Sequence, residues 1–186
     1  MYLYTYLTET RAFLSTDFNQ FFADHIKIGT KLQSIPEYRI IETDMLSIIA
    51  PIFPDQILRV YPFGSRLAGI ATRESDLDLF VDIGGTFNTF QNRGDRETLS
   101  KLRKVENGLN KTNLFKHMIV IDKARVPILR TIHASTGIEC DINFSNSLGN
   151  INTRYLEYIF NLQPLGKFIY KIYTDVVCVF FISKLL

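Results

Sequence analysis

The sequence has no tryptophan, three histidines and only two cysteines, Cys140 and Cys178. Two cysteines without a CxxC pattern exclude a disulfide framework and imply a reducing compartment. The histidines, His25, His117 and His133, lack metal-ligand spacing, which argues against zinc. No GxxxxGK[ST] occurs, so this is not a P-loop protein. Charge of one sign is also scarce. Twenty-one Lys and Arg stand against 19 Asp and Glu, for a net charge of +2 and a pI near 8.5, too weak to argue for nucleic acid by itself. The N-terminal stretch MYLYTYLTETRAFLS has no basic region followed by a long apolar run, and too few arginines for a transit peptide. Long hydrophobic runs are missing as well. The carboxyl end is apolar from Val176 to Ile182, but Lys171, Asp175 and Lys184 interrupt the wider stretch, and a membrane span needs about 20 mostly apolar residues. That end reads as a helix needing a protein partner, ahead of a membrane anchor; no membrane is expected, and the setting is intracellular, the cytoplasm ahead of the nucleus or mitochondrion.

What is present suits a globular fold: 186 residues, 46% hydrophobic, 22% charged and 13% aromatic, the aromatics all Phe and Tyr. A chain of this length buries a proper core without staples. Between Arg93 and Lys116 basic residues outnumber acidic ones, which reads as a solvated helix face or as a phosphate-tracking patch. Helical patterns run from about Thr16 to Lys31 and from Glu37 to Ile49, the second stopped by Pro51 and Pro54. Strand-like stretches follow at Ile57–Phe63 and Leu77–Ile83, with a turn at Gly64-Ser65 and a short helix over Arg66–Ala71 between them. A polar helix is expected from Arg96 to His117, then strands at Met118–Asp122, Val126–His133 and Ile138–Phe144, then helices at Asn152–Asn161 and from Pro164 onward. The order predicts an α+β fold, a small mixed sheet covered by helices. Three parts follow: an N-terminal helical segment (1–55), a catalytic domain (56–150) and the start of a further helical region (151–186).

One constellation carries chemistry. Phe63-Gly64-Ser65 is followed, ten residues later, by Asp76-Leu77-Asp78. On a strand, residues i and i+2 share a face, so Asp76 and Asp78 project side by side while Leu77 and Leu79 face the core. Neighbouring carboxylates repel and make sense beside a cation; oxygen-only ligands suit Mg²⁺ or Mn²⁺. Gly64 lets the backbone approach a ligand, and Ser65 opens a helix whose N–H groups favour an anion. A two-metal site usually needs a third acid from elsewhere. Asp141 in Ile138–Phe144 is the best candidate, although Glu139 shares its face and periodicity cannot choose between them. Asp82 shares the face of Asp76 and Asp78 and is a decoy by the same logic.

Phe63-Gly64-Ser65-x10-Asp76-Leu77-Asp78 resembles the DNA polymerase β-like nucleotidyltransferases, and more narrowly the noncanonical poly(A) polymerases and terminal uridylyltransferases. Arg125-Val126-Pro127-Ile128, Cys140–Phe144 and Leu148–Thr153 resemble further segments of that family, so the similarity runs from about Leu58 to Asn161. The resemblance implies a polymerase β-like palm. It implies that Asp76, Asp78 and Asp141 hold two Mg²⁺ or Mn²⁺ ions, with Asp141 helping to activate an RNA 3′-hydroxyl. By the same resemblance Gly64 and Ser65 contact the triphosphate of ATP or UTP, Asn152 bonds the ribose 2′-hydroxyl, and Thr153 lies near the base. Both Asn152 and Thr153 sit at an expected helix start, where either would also serve as an N-cap.

The implied function is template-independent addition of AMP or UMP to RNA 3′ ends. Relatives continue into a helical central domain that completes the nucleotide cleft, and from about Lys167 this chain no longer matches them. The alternative is therefore a catalytically incomplete remnant that binds RNA or a protein partner.

Overall fold

The computed structural model describes residues 16–85, 87, 95–171 and 173. The N-terminal stretch before Thr16, Arg93 and the Val176–Ile182 run lie outside them. Helices α1 (Thr16–Leu32) and α2 (Glu37–Ile49) lead into β1 (Leu58–Phe63) and a one-turn helix α3 (Ser65–Ala68). Then come β2 (Leu77–Ile83), α4 (Asp95–Leu109), β3 (Phe115–Ile121), β4 (Ile128–His133), β5 (Glu139–Asn143) and α5 (Leu148–Leu162). Helical backbone resumes at 164–171.

The strands form one mixed sheet in the order β1-β2-β5-β4-β3. Only β2 and β5 run parallel; β1–β2, β4–β5 and β3–β4 are antiparallel. Alternation then sorts the side chains. Leu77, Leu79, Val81 and Ile83 of β2 point to one face, with Leu129, Cys140 and Ile142 of the neighbouring strands. Helix α2 buries Tyr38, Ile41, Met45, Ile48 and Ile49 at helical spacing, and α4 adds Leu102, Val105 and Leu109 to the same cluster. Truncating a fully buried member such as Leu79 to Ala costs about 2–5 kcal/mol. Strand β4 is tied to α2 by a polar bond within this region. His133, fully buried, places Nε2 3.0 Å from Asp44 Oδ2 and Nδ1 2.9 Å from Thr136 Oγ1.

Three boundaries depart from the sequence reading. Helix α4 stops at Leu109, not His117, because Thr112 closes a turn onto the Leu109 carbonyl through its N–H (3.0 Å) and its hydroxyl (3.0 Å). Residues 115–117 then join β3, where a register shift between Lys116 and Ile119 and a positive φ of 57° at His117 bend the strand. Helix α3 takes in Ser65 and ends at Ala68, since Gly69 adopts the left-handed conformation (φ 73°) that terminates helices. Helix α5 starts at Leu148, a full turn before Asn152, so Asn152 and Thr153 are not N-cap residues.

Candidate active site

The opposite face of the sheet carries the acids. Asp78 of β2 and Asp141 of β5 are direct partners in the parallel register, and Asp76 immediately precedes β2. That pairing separates the two candidates on β5: Glu139 lies opposite Ile132 and is exposed, whereas Asp141 is beside Asp78. Asp82 is taken up structurally; it is 1% exposed and its Oδ2 accepts the Phe87 N–H at 3.3 Å.

Close packing holds the turn and the strand in place. Antiparallel pairing sets Phe63 opposite Asp78, and Gly64 follows with φ 83° and ψ −160°. A methyl group on Gly64 would occupy the space of the Asp78 carboxylate. Glycine is required there twice over, by backbone angle and by contact. The Gly64 N–H donates to Thr153 Oγ1 (2.8 Å), and the Thr153 hydroxyl donates to the Gly149 carbonyl (2.8 Å). Asn150 donates to the Pro62 carbonyl (3.0 Å). Helix α5 thus fastens β1 and the turn from behind. Arg66, 4% exposed, donates to the carbonyls of Ser75 (2.6 Å) and Arg73 (3.1 Å), fixing the segment that delivers Asp76.

A cleft of about 560 Å³ opens on this face, with Asp78, Asp141, Asn152, Phe63, Gly149 and the Arg125–Ile128 segment among its lining. Asn152 therefore faces the cleft. Thr153, 6% exposed, lies behind β1 and acts on the turn rather than from the cleft wall. Ser65 is half-buried at the start of α3. Thr98, Asn143 and Ser145 also line the cleft, and each has a buried side-chain oxygen with no hydrogen-bond partner. Asn150 Oδ1, outside the cleft, is buried in the same way, so such oxygens do not by themselves mark the wall.

Electrostatics single out the same acids. Burial, then the charges of Asp76 and Asp141, push the Asp78 carboxyl up to about 7. Burial and then Asp141 raise Asp76, against the pull of Arg130. Arg130, on β4 opposite Asp141, grips that carboxylate with Nε at 2.8 Å from Oδ1 and Nη2 at 2.6 Å from Oδ2. Its Nη2 also stands 4.0 Å from Asp76. Crowded carboxylates that resist ionisation, with one cation drawn among them, fit a hard divalent ion held by oxygen. Among the described residues no three His, Cys, Asp or Glu side chains already converge on one point; Asp141 directs both oxygens at Arg130. Cys140, buried and pushed up to about 12, is no nucleophile.

Arg66, Arg130, Thr98 and Ser145 were not singled out by sequence. Alternation along β4 offers the one available signal, since it puts Arg130 on the face away from buried Leu129 and Thr131. Part of the basic stretch is held locally: Lys101 pairs with Glu97, Arg103 with Glu106 and Asp122, and Lys104 stands over the Phe53 ring. No described helix is long and apolar enough to cross a membrane.

Comparison with known proteins agrees with this geometry. The model of the family described as poly(A) RNA polymerase, mitochondrial-like, central palm domain matches residues 19–161. Over 110 residues the chain is 33% identical to Protein HESO1 of Arabidopsis thaliana, covering 59% of this chain and 21% of that one. Over 129 residues it is 31% identical to Terminal uridylyltransferase 7 of Homo sapiens, covering 69% of this chain and 8% of that one. The chain thus spans a small part of the curated relatives it matches. The solved structure of the GLD-2/RNP-8 complex contains the same fold, with a TM-score of 0.67 over 84% of this chain and 59% of that one, at 22% identity. Since the matched segment takes in the whole sheet and all three carboxylates, the chain belongs to the mitochondrial-like poly(A) RNA polymerase central palm family.

Proposed function

We propose that the chain is the catalytic palm of a template-independent RNA nucleotidyltransferase that adds AMP or UMP to RNA 3′ ends. The observation that carries this reading is the register pairing of Asp78 with Asp141, with the Gly64 turn packed against Asp78. In the reaction, the RNA 3′-hydroxyl forms a bond to the α-phosphorus of a ribonucleoside triphosphate while the bond to pyrophosphate breaks. Asp76 and Asp78 would hold two Mg²⁺ or Mn²⁺ ions and Asp141 the one nearer the 3′-hydroxyl. When bound, the ions supply the positive charge that offsets charge developing on the reacting oxygens. Asp141 takes up the hydroxyl proton or orients that group. The N–H groups at the start of α3 face the triphosphate with Ser65, and Asn152 meets the ribose from the cleft wall. Thr153 contributes through Gly64, which it holds.

A second reading, a binding module, is favoured by the exposed apolar side chains of α5 and the helix after it. Tyr155, Tyr158, Leu162, Leu165, Ile169 and Tyr173 are each more than half exposed, a surface suited to a protein partner. An intracellular setting, in the cytoplasm, nucleus or mitochondrion, belongs to both readings.

The test is primer extension with labelled single-stranded RNA, Mg²⁺ or Mn²⁺ and each ribonucleotide separately, beside Asp76→Ala/Asp78→Ala. Extension that disappears in the double variant supports the enzyme, and the nucleotide consumed names its preference. A folded chain that extends nothing favours the binding module.

A further inference from the structure

Arg130 is placed oddly for a surface residue. Its side chain is 42% exposed, yet it commits Nε and Nη2 of its guanidinium to Asp141, whose side chain is 9% exposed. The two residues face each other across the β4–β5 register, and the grip is the bidentate fork that makes arginine–carboxylate pairs strong. A third approach, 4.0 Å from Nη2 to Asp76, brings the same positive charge to the acid just before β2. Asp78 lies on the far side of Asp141 from Arg130, and the arginine acts on it through space.

We propose that Arg130 is a built-in countercation, which occupies Asp141 while the site holds no divalent ion and is displaced from it when one binds. The proposal rests on the reading of Asp76, Asp78 and Asp141 as ion ligands. Each Asp141 oxygen already accepts one bond from the guanidinium, so fewer lone pairs and less freedom to turn are left for an ion shared with Asp78. The exposed side of Arg130 gives the guanidinium room to swing out, whereas Asp141 is fixed in the middle of β5. Arg130 is therefore a positioning residue. It offsets part of the repulsion among the acids and sets a threshold of cation that must be reached before Asp141 is released. The ion and the arginine compete for one carboxylate.

Competition predicts an unusual sign: removing a well-ordered residue should strengthen ion binding. Mn²⁺ binding to the purified chain, without nucleotide, would be followed by loss of the free-ion electron paramagnetic resonance signal. Arg130→Met should bind Mn²⁺ about tenfold more tightly than the native chain, the factor that about 1.4 kcal/mol represents. Arg130→Lys keeps the charge and loses the fork, so its affinity should fall between the two; it carries the test if the methionine variant does not fold. Guanidinium ion at millimolar concentration should weaken Mn²⁺ binding to Arg130→Met by refilling the vacated place, and leave the native chain unchanged. Unchanged or weaker Mn²⁺ binding in folded variants, beside native binding that Asp76→Ala/Asp78→Ala removes, overturns the role of Arg130 alone. Binding by neither the native chain nor the variants overturns that role and the ion site together.

Discussion

Gly64 and Thr153, 89 residues apart in sequence, are joined by one hydrogen bond of 2.8 Å from backbone to hydroxyl. The bond couples α5 to the turn beneath the catalytic strand. Thr153→Val keeps the shape and removes the acceptor, leaving a buried N–H unpaired at a cost of about 1–3 kcal/mol. Thermal unfolding should register that loss, and nucleotide KM should rise more than kcat falls. Thr153→Ser should restore both.

Gly64→Ala tests a different contact. The added methyl meets the Asp78 carboxylate, at a φ of 83° that L-residues resist. Extension activity should fall by at least about a hundredfold, since a small displacement of a reacting group has that effect. Near-native circular dichroism would show that the sheet persists. Full activity in this variant would mean that Asp78 does not need its present position.

Arg66 holds the connection from α3 to Asp76 by two bonds to carbonyls while nearly fully buried. Arg66→Met should destabilise the fold by roughly 2–4 kcal/mol, because two charge-assisted bonds are lost and two carbonyls are left without partners. Arg66→Lys should recover little of this, since one ammonium cannot reproduce a planar fork. Urea unfolding of the three proteins provides the comparison.

The acids also set a pH dependence. Asp78 ionises near 7 in the fold against 3.8 for the ordinary side chain. Between these values Asp78 binds more of a proton in the native chain than in the unfolded one, so its contribution to stability is fully present below about 4 and is lost as pH rises through about 7. In metal-free buffer the native chain should lose stability across that window relative to Asp78→Asn, by no more than about 4 kcal/mol for a shift of this size. Asp78→Asn should flatten the curve and be the more stable protein at pH 8. A native profile that rises relative to Asp78→Asn over the same window would contradict the crowding of these carboxylates.

Local chemistry made much of this legible in advance. Gly64-Ser65, the Asp76-Leu77-Asp78 alternation and the apolar face of β2 follow from periods of two and from glycine, and they sit where such rules place them. The ambiguous acid on β5 was beyond periodicity because Glu139 and Asp141 share a face; only the register with Asp78 separates them. Alternation along β4 could place Arg130 on the acid face, but not its pairing with Asp141, which lies on another strand. The overlong α4 and late-starting α5 came from treating polar residues as continuous helix or as caps. The Thr112 turn and the Asn146 side chain, which accepts the Leu148 N–H at 3.0 Å, set those ends instead.

The order in which the sheet is assembled bears on when this site exists at all. Strand β5 is the last to be made and lies between β2 and β4. Until it inserts, the chain has two separate antiparallel ribbons, β1–β2 and β3–β4, each with an open edge. Joining them closes long sequence separations, the slow part of folding. Asp141 arrives on the very strand that welds the ribbons. A nascent or half-folded chain therefore presents at most Asp76 and Asp78, and cannot gather the third acid early. Completion of the sheet and the meeting of Asp78 with Asp141 depend on the same strand.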